Sequence, residues 1–198
     1  MTAVAAKMIY TAQEYLALER KAKTRSEYVN GEIYAMAGAS REHNLISLNL
    51  AGELRTQLRD RRCETYMSDM RVRIKPTGLY TYPDVVVVCG RPRFEETESD
   101  TLVNPTVIAE VLSPTTEAYD RGGKFAHYRF VDSLQEYVLI AQERMQVDHF
   151  ARMGQQWLLT SFSRPDEMVS LPSIECAVAL SEIYARVELS AEGGLARE

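Results

Sequence analysis

Two carboxylates stand in or beside apolar runs, where a charged group is costly. Asp84 opens the run Val85-Val86-Val87-Val88, and Glu110 interrupts Val107-Ile108-Ala109 and Val111-Leu112. A carboxylate in an apolar interior needs a partner or a metal ion. If the two runs are neighbouring strands, both carboxylates can point into one site. A hard cation such as Mg²⁺ takes oxygen ligands and commonly uses one or two carboxylates. Lys124 follows on an expected helix and could supply the positive charge that phosphate chemistry uses. A plainer reading stands beside this one. Asp84 and Glu110 could be polar members of a structural network, and Lys124 a surface lysine paired with Asp120 four residues back.

The elements that would position these groups can be read from pattern. Thr11-Ala12-Gln13-Glu14 is a capping box opening a helix that runs to about Lys21. Asn30-Gly31 favours a two-residue hairpin turn between Glu27-Tyr28-Val29 and Glu32-Ile33-Tyr34-Ala35-Met36. Glu32 is then either a solvated edge residue or an acid aimed at the site. Ser40 can cap a helix ending near Asp60. Its buried face is marked by Ile46, Leu50, Leu54 and Leu58, with His43 in the first turn.

Met70 to Lys75 alternates, so Met70, Val72 and Ile74 should face a core. Arg71, Arg73 and Lys75 then form a basic stripe, either a solvated face or a nucleic-acid contact. Arg91 to Asp100 reads as a surface loop, and Val107 to Leu112 as a buried strand ended by Pro114. A helix is expected from Asp120 to Val131, with Gly122 and Gly123 leaving room for a ligand near its start. Glu136 to Ile140, Met145 to Ala151 and Trp157 to Phe162 read as strands, the last two joined by a turn at Gly154. Ser181 is expected to cap a short helix to about Val187, and residues 1–10 and 191–198 to be loose ends.

The length of 198 residues suits one domain spanning the chain, with 45% hydrophobic and 26% charged residues. A net charge of −5 argues against indiscriminate binding to nucleic acid but leaves room for a local basic groove. Cys63, Cys89 and Cys176 show neither a zinc spacing nor an obvious disulfide framework, which favours a reducing, cytoplasmic setting. No apolar segment is long enough to span a membrane.

The ordered set Pro83-Asp84, Glu110-Val111-Leu112-Ser113-Pro114 and Asp120-x-x-x-Lys124-x-x-x-Tyr128 resembles the PD-(D/E)XK nuclease superfamily. More closely, it resembles the Uma2 family, also described as DUF820. Upstream the likeness takes in Glu27 to Met36 and His43, so it covers roughly residues 11–150. One position departs from the superfamily pattern: Leu112 stands where the lysine of the Glu-x-Lys motif belongs.

The resemblance implies a restriction-endonuclease-like α/β fold with a mixed central β-sheet flanked by helices. It further implies a Mg²⁺-dependent endonuclease, with Mn²⁺ as a substitute, hydrolysing phosphodiester bonds in DNA. Asp84 and Glu110 would bind the metal, joined by the Val111 carbonyl, and Glu32 would serve a second ion. Lys124 would replace the missing lysine, with Tyr128 and His43 in support. Paired sites for cutting two strands would suit a homodimer. The competing expectation is a nuclease fold without turnover, acting as a nucleic-acid-binding or structural module, for which Leu112 is the strongest argument.

Overall fold

The computed structural model describes residues 8–95 and 100–189. Helix α1 (Ala12–Glu19) opens on the expected capping box. The Thr11 side chain accepts from the Glu14 amide, and the Glu14 carboxylate accepts from the Thr11 amide. Strands β1 (Ser26–Val29) and β2 (Glu32–Ala35) form the expected hairpin. Asn30 and Gly31 adopt φ of 52° and 87°, the positive values such a turn needs. Ser40 caps α2 (Arg41–Gln57), and Ile46, Leu50, Leu54 and Leu58 are all buried.

There follow β3 (Cys63–Met67), β4 (Arg71–Ile74), β5 (Leu79–Thr81), β6 (Val85–Cys89), β7 (Thr101–Leu102) and β8 (Val107–Leu112). A π-helical turn (Tyr119–Lys124) leads into α3 (Phe125–Tyr128). The chain continues through β9 (Glu136–Ala141), β10 (Val147–Met153), β11 (Gln156–Phe162), β12 (Met168–Leu171), a 3₁₀ turn (Pro172–Ile174), β13 (Cys176–Ala179) and α4 (Leu180–Ile183).

These strands form a mixed six-stranded sheet, in the order β11-β10-β9-β8-β6-β3, and a five-stranded sheet, in the order β2-β1-β5-β4-β7. The pair β12–β13 stands apart. Strands β8 and β9 run parallel, while β6 lies antiparallel to β8. The continuous valine run of β6 follows from burial on both faces. Val85 and Val87 meet α2, α4 and β13 on one side. Val86, Val88 and Ile108 meet Val72, Ile74 and Leu79 of the five-stranded sheet on the other. The central sheet flanked by helices is thus the expected α/β architecture, with a second sheet closing one face. Among the described residues no helix is long and apolar enough to cross a membrane.

Several expectations are corrected. The helix foreseen from Asp120 begins as a π-helical turn, and α3 stops at Tyr128. Gly123 has a packing role there: a Cβ on it would lie 2.4 Å from the Tyr119 ring. The C-terminal helix starts at Leu180 after Ala179, without a side-chain cap, so Ser181 is inside it. Cys63 and Cys89 are joined by a disulfide, because the antiparallel register of β3 and β6 sets them directly opposite each other. Twenty-six residues of sequence separation conceal that pairing. Of the loose ends foreseen at 1–10 and 191–198, residues 1–7 and 191–198 lie outside the described residues, but Tyr10 is anchored, its amide donating to the Gly31 carbonyl at 2.8 Å.

Candidate active site

Strands β6 and β8 bring the two carboxylates together. Their register pairs Val85 with Ala109 and Val86 with Ile108, so one further step sets Asp84 opposite Glu110. Pro83 carries no amide hydrogen, and the Asp84 carboxylate takes over as the partner of β8: Oδ2 accepts from the Val111 amide at 2.7 Å. A residue in an antiparallel ladder directs its amide and carbonyl to the same neighbour. The Val111 carbonyl therefore leaves β8 on the Asp84 side. The other oxygen, Asp84 Oδ1, lies 2.8 Å from His43 Nε2. His43 is held at the start of α2, where its amide donates to Ser40 Oγ at 3.0 Å.

Glu110 is buried. Its Oε1 accepts from the Tyr128 hydroxyl at 2.7 Å and from Lys124 Nζ at 3.2 Å. The same ammonium lies 3.1 Å from Glu27 Oε1 and 3.1 Å from Asp120 Oδ1. Asp120 Oδ1 is nonetheless not aligned for a hydrogen bond and has no such partner among the described residues. The π-helical turn buries Asp120 and Lys124 together, and such turns frequently mark functional sites. Glu27 arrives from the second sheet. Tyr28 pairs with Tyr80, which sets Glu27 beside Thr81, and the Thr81 hydroxyl donates to the carboxylate that also meets Lys124.

Burial pushes the Glu110 carboxyl up to about 8. The Lys124 ammonium pulls it down, while Asp120, Asp84 and Glu27 push it further up. Asp120 is likewise raised, first by burial and against the pull of Lys124. Burial would lower Lys124, but Glu110, Glu27 and Asp120 together hold it well above the usual lysine range. One ammonium thus faces three carboxylates, Glu27, Glu110 and Asp120, with Asp84 acting on Glu110 from the neighbouring strand, and full ionisation leaves an excess of negative charge.

That excess, and a donor set made only of oxygen, fit a hard divalent cation. The Asp84 and Glu110 carboxylates and the Val111 carbonyl are the residues that could hold one, with water completing the shell. No group of three or more His, Cys, Asp or Glu side chains among the described residues is arranged as a metal cage, and a Mg²⁺ site of two carboxylates and a carbonyl needs none. The third position of the motif is filled by Leu112, which packs into the core between the two sheets. A lysine there would point into that apolar cluster.

Other expected residues fall elsewhere. The hairpin acid that contacts Lys124 is Glu27, while Glu32 lies on the partner strand opposite Val29 and takes a hydrogen bond from Tyr34. Arg71 does not share a solvated face with Arg73 and Lys75. It is buried, donating to Thr101 Oγ1 at 2.9 Å, Tyr82 Oη at 3.0 Å and Asp100 Oδ2 at 2.8 Å. Arg73 pairs with Glu95, and Lys75 is exposed. Sequence reasoning missed Glu27 as a contact of Lys124, since only the pairing of β1 with β5 brings it there. Asp120 carried a signal in its spacing of four from Lys124, but that spacing could not show that the pair is buried.

Comparison with known proteins bears on this arrangement. Residues 12–181 match the model of the Uma2 family, whose description is "Putative restriction endonuclease". Two proteins of Synechocystis sp. are close in sequence. The uncharacterised protein sll1609 is 43% identical over 161 residues, covering 81% of this chain and 91% of that one. The uncharacterised protein slr1290 is 37% identical over 173 residues, covering 87% and 90%. A crystal structure from Anabaena variabilis, described as a putative nuclease belonging to DUF820, superimposes with a TM-score of 0.73 at 20% identity. It covers 87% of this chain and 96% of its own, a likeness that speaks to the fold.

Proposed function

The chain belongs to the Uma2 family, and from that premise we propose that it is a Mg²⁺-dependent endonuclease hydrolysing phosphodiester bonds in DNA, with Mn²⁺ able to substitute. The observation that carries this reading is the excess of carboxylates over cations around Lys124, with Asp84 and Glu110 opposed on neighbouring strands. Asp84, Glu110 and the Val111 carbonyl would hold the ion. When bound, Mg²⁺ supplies Lewis-acid stabilisation of phosphate charge and a more acidic water.

The chain's own residues do the rest. His43 and the Val111 amide fix the two oxygens of Asp84. Tyr128 and Lys124 both hold Oε1 of Glu110. Lys124 is the group that can offset charge developing on the scissile phosphate, an electrostatic role that a fixed ammonium in a water-poor site fills well. Glu110, Glu27 and Asp120 keep it protonated and in place.

A second reading, a nuclease fold that binds without turnover, draws on Leu112 at the usual lysine position. The contact of Lys124 with Glu110 favours the enzyme, because a buried ammonium reaches the acidic centre from another element. A cleavage screen decides between them. Purified protein is incubated with double- and single-stranded DNA and RNA in Mg²⁺, Mn²⁺ or chelator. Metal-dependent cutting of DNA is expected, and binding without cutting in every metal condition would favour the second reading.

A further inference from the structure

At the end of the six-stranded sheet remote from Asp84 lies an open cleft of about 690 Å³. The five residues of β6 separate the two sites, roughly 17 Å at strand spacing. Four cations line the cleft, Arg73, Lys75, Arg91 and Arg93, of which Arg73 is paired with Glu95. Asp132 is the one acidic residue among the described residues of the lining. For a chain of net charge −5 this is a local reversal of sign, and the local field governs which ligands a surface gathers.

The cations are set in two rails. Arg73, on β4, and Lys75, in the turn that follows it, border one side. Arg91 and Arg93 flank Pro92 on the segment that follows β6, and that segment is held in place. Buried Asn104 donates to the Arg91 carbonyl at 3.1 Å and accepts from the Arg93 amide at 2.7 Å, while the Val103 amide donates to the Arg93 carbonyl at 2.9 Å. Phe130 borders the cleft with half its surface exposed, and the Arg129 guanidinium lies 5.2 Å from its ring centre. A positively charged groove beside an exposed aromatic ring is the arrangement that tracks a phosphate backbone and stacks an unpaired base.

We infer that this cleft binds a single-stranded segment of nucleic acid, with Lys75, Arg91 and Arg93 on its phosphates and Phe130 against a base. The site is separate from the acidic centre, and its occupation does not depend on cleavage. Arg71, although part of the same basic stripe in the sequence, has no share in it, since its guanidinium is spent on Thr101, Tyr82 and Asp100.

The test is fluorescence anisotropy of a labelled oligothymidylate of about a dozen nucleotides, titrated with the full chain in chelator at several salt concentrations. Chelator removes metal-dependent cutting, so the result stands whether or not the protein proves to be a nuclease. Lys75→Ala, Arg91→Ala and Arg93→Ala combined should weaken binding roughly tenfold or more and flatten the logarithmic salt slope by about 2, the release expected for three single-strand phosphates. Phe130→Ala should weaken binding by roughly tenfold with little change of slope. Circular dichroism confirms that these surface variants are folded. Unchanged affinity and slope in the triple variant would overturn the site. Loss of binding in the triple variant with none in Phe130→Ala would make the cleft a general polyanion surface and overturn its assignment to nucleic acid.

Discussion

Lys124 and Glu110 meet inside the protein, the ammonium 3.2 Å from Oε1, although the two residues lie on different elements. Glu27 and Asp120 complete the surroundings of the same ammonium. Lys124 is therefore a counter-ion for three carboxylates as well as the candidate group for phosphate charge. Those two duties separate in experiment.

Lys124→Met should abolish most turnover and also destabilise the fold. Removing one partner of a buried ionic network typically costs about 3–5 kcal/mol, because the remaining charges are left uncompensated. The deficit should shrink in acid, where protonation relieves the orphaned carboxylates. Urea unfolding of both proteins at acidic and alkaline pH measures this, and a deficit independent of pH would argue against the counter-ion role.

Glu110 gives the metal-free protein its own pH dependence. Its carboxyl is raised from 4.5 to about 8 in the folded state, with burial the main cause. Between those values the folded form binds the proton and the unfolded form does not, so stability falls as pH rises. The contribution is fully present below about 4.5 and lost as pH passes 8. In chelator, Glu110→Gln should remove this component of the slope between pH 5 and 8, as read from denaturant midpoints.

His43 should act through Asp84. With its Nε2 2.8 Å from Oδ1, it holds the carboxylate toward β8, and outer partners of metal-binding groups commonly contribute 10–100-fold in affinity or activity. His43→Ala is expected to weaken Mg²⁺ binding by about tenfold in calorimetry with little effect on the melting temperature. Unchanged affinity would reduce His43 to a helix-start residue.

Arg71 should behave as a core residue. Arg71→Ala takes a donor from Thr101 and Tyr82, while Asp100 keeps its bonds from Arg20 and Thr101, at a cost of roughly 1–3 kcal/mol. Nucleic-acid affinity per folded molecule should be unchanged. A stable variant with weakened binding would return Arg71 to the recognition surface.

What could be read from the sequence divides along a physical line. Local grammar was legible. The Asn30-Gly31 turn, the Thr11 and Ser40 caps and the period of α2 each depend on a few neighbouring residues. The pairing of β6 with β8 was also within reach, because an acid beside a wholly apolar strand has few places to go. Contacts made across the chain were not legible. Glu27 reaches Lys124 only because β1 joins β5, and Cys63 reaches Cys89 only through the register of β3 with β6. Arg71 obeys the alternation of a half-exposed strand, yet Asp100, Thr101 and Tyr82 close over it. The π-helical turn was hidden as well, since the spacing of Asp120, Lys124 and Tyr128 suits an ordinary helix equally. Lys124 itself stood between a surface pair and the site until the resemblance favoured the site.

The central claim, that Asp84 and Glu110 form one metal-dependent centre for phosphodiester hydrolysis, is tested most directly by supercoiled-plasmid cleavage. Wild type, Asp84→Asn and Glu110→Gln are compared across a Mg²⁺ titration, with chelator as the blank. Wild type should cut only with metal, and each variant should lose at least about 100-fold in rate, a loss of a few kcal/mol of transition-state stabilisation, while its circular dichroism is unchanged. Cleavage by wild type in chelator, or near-normal rates in both folded variants, would contradict the account.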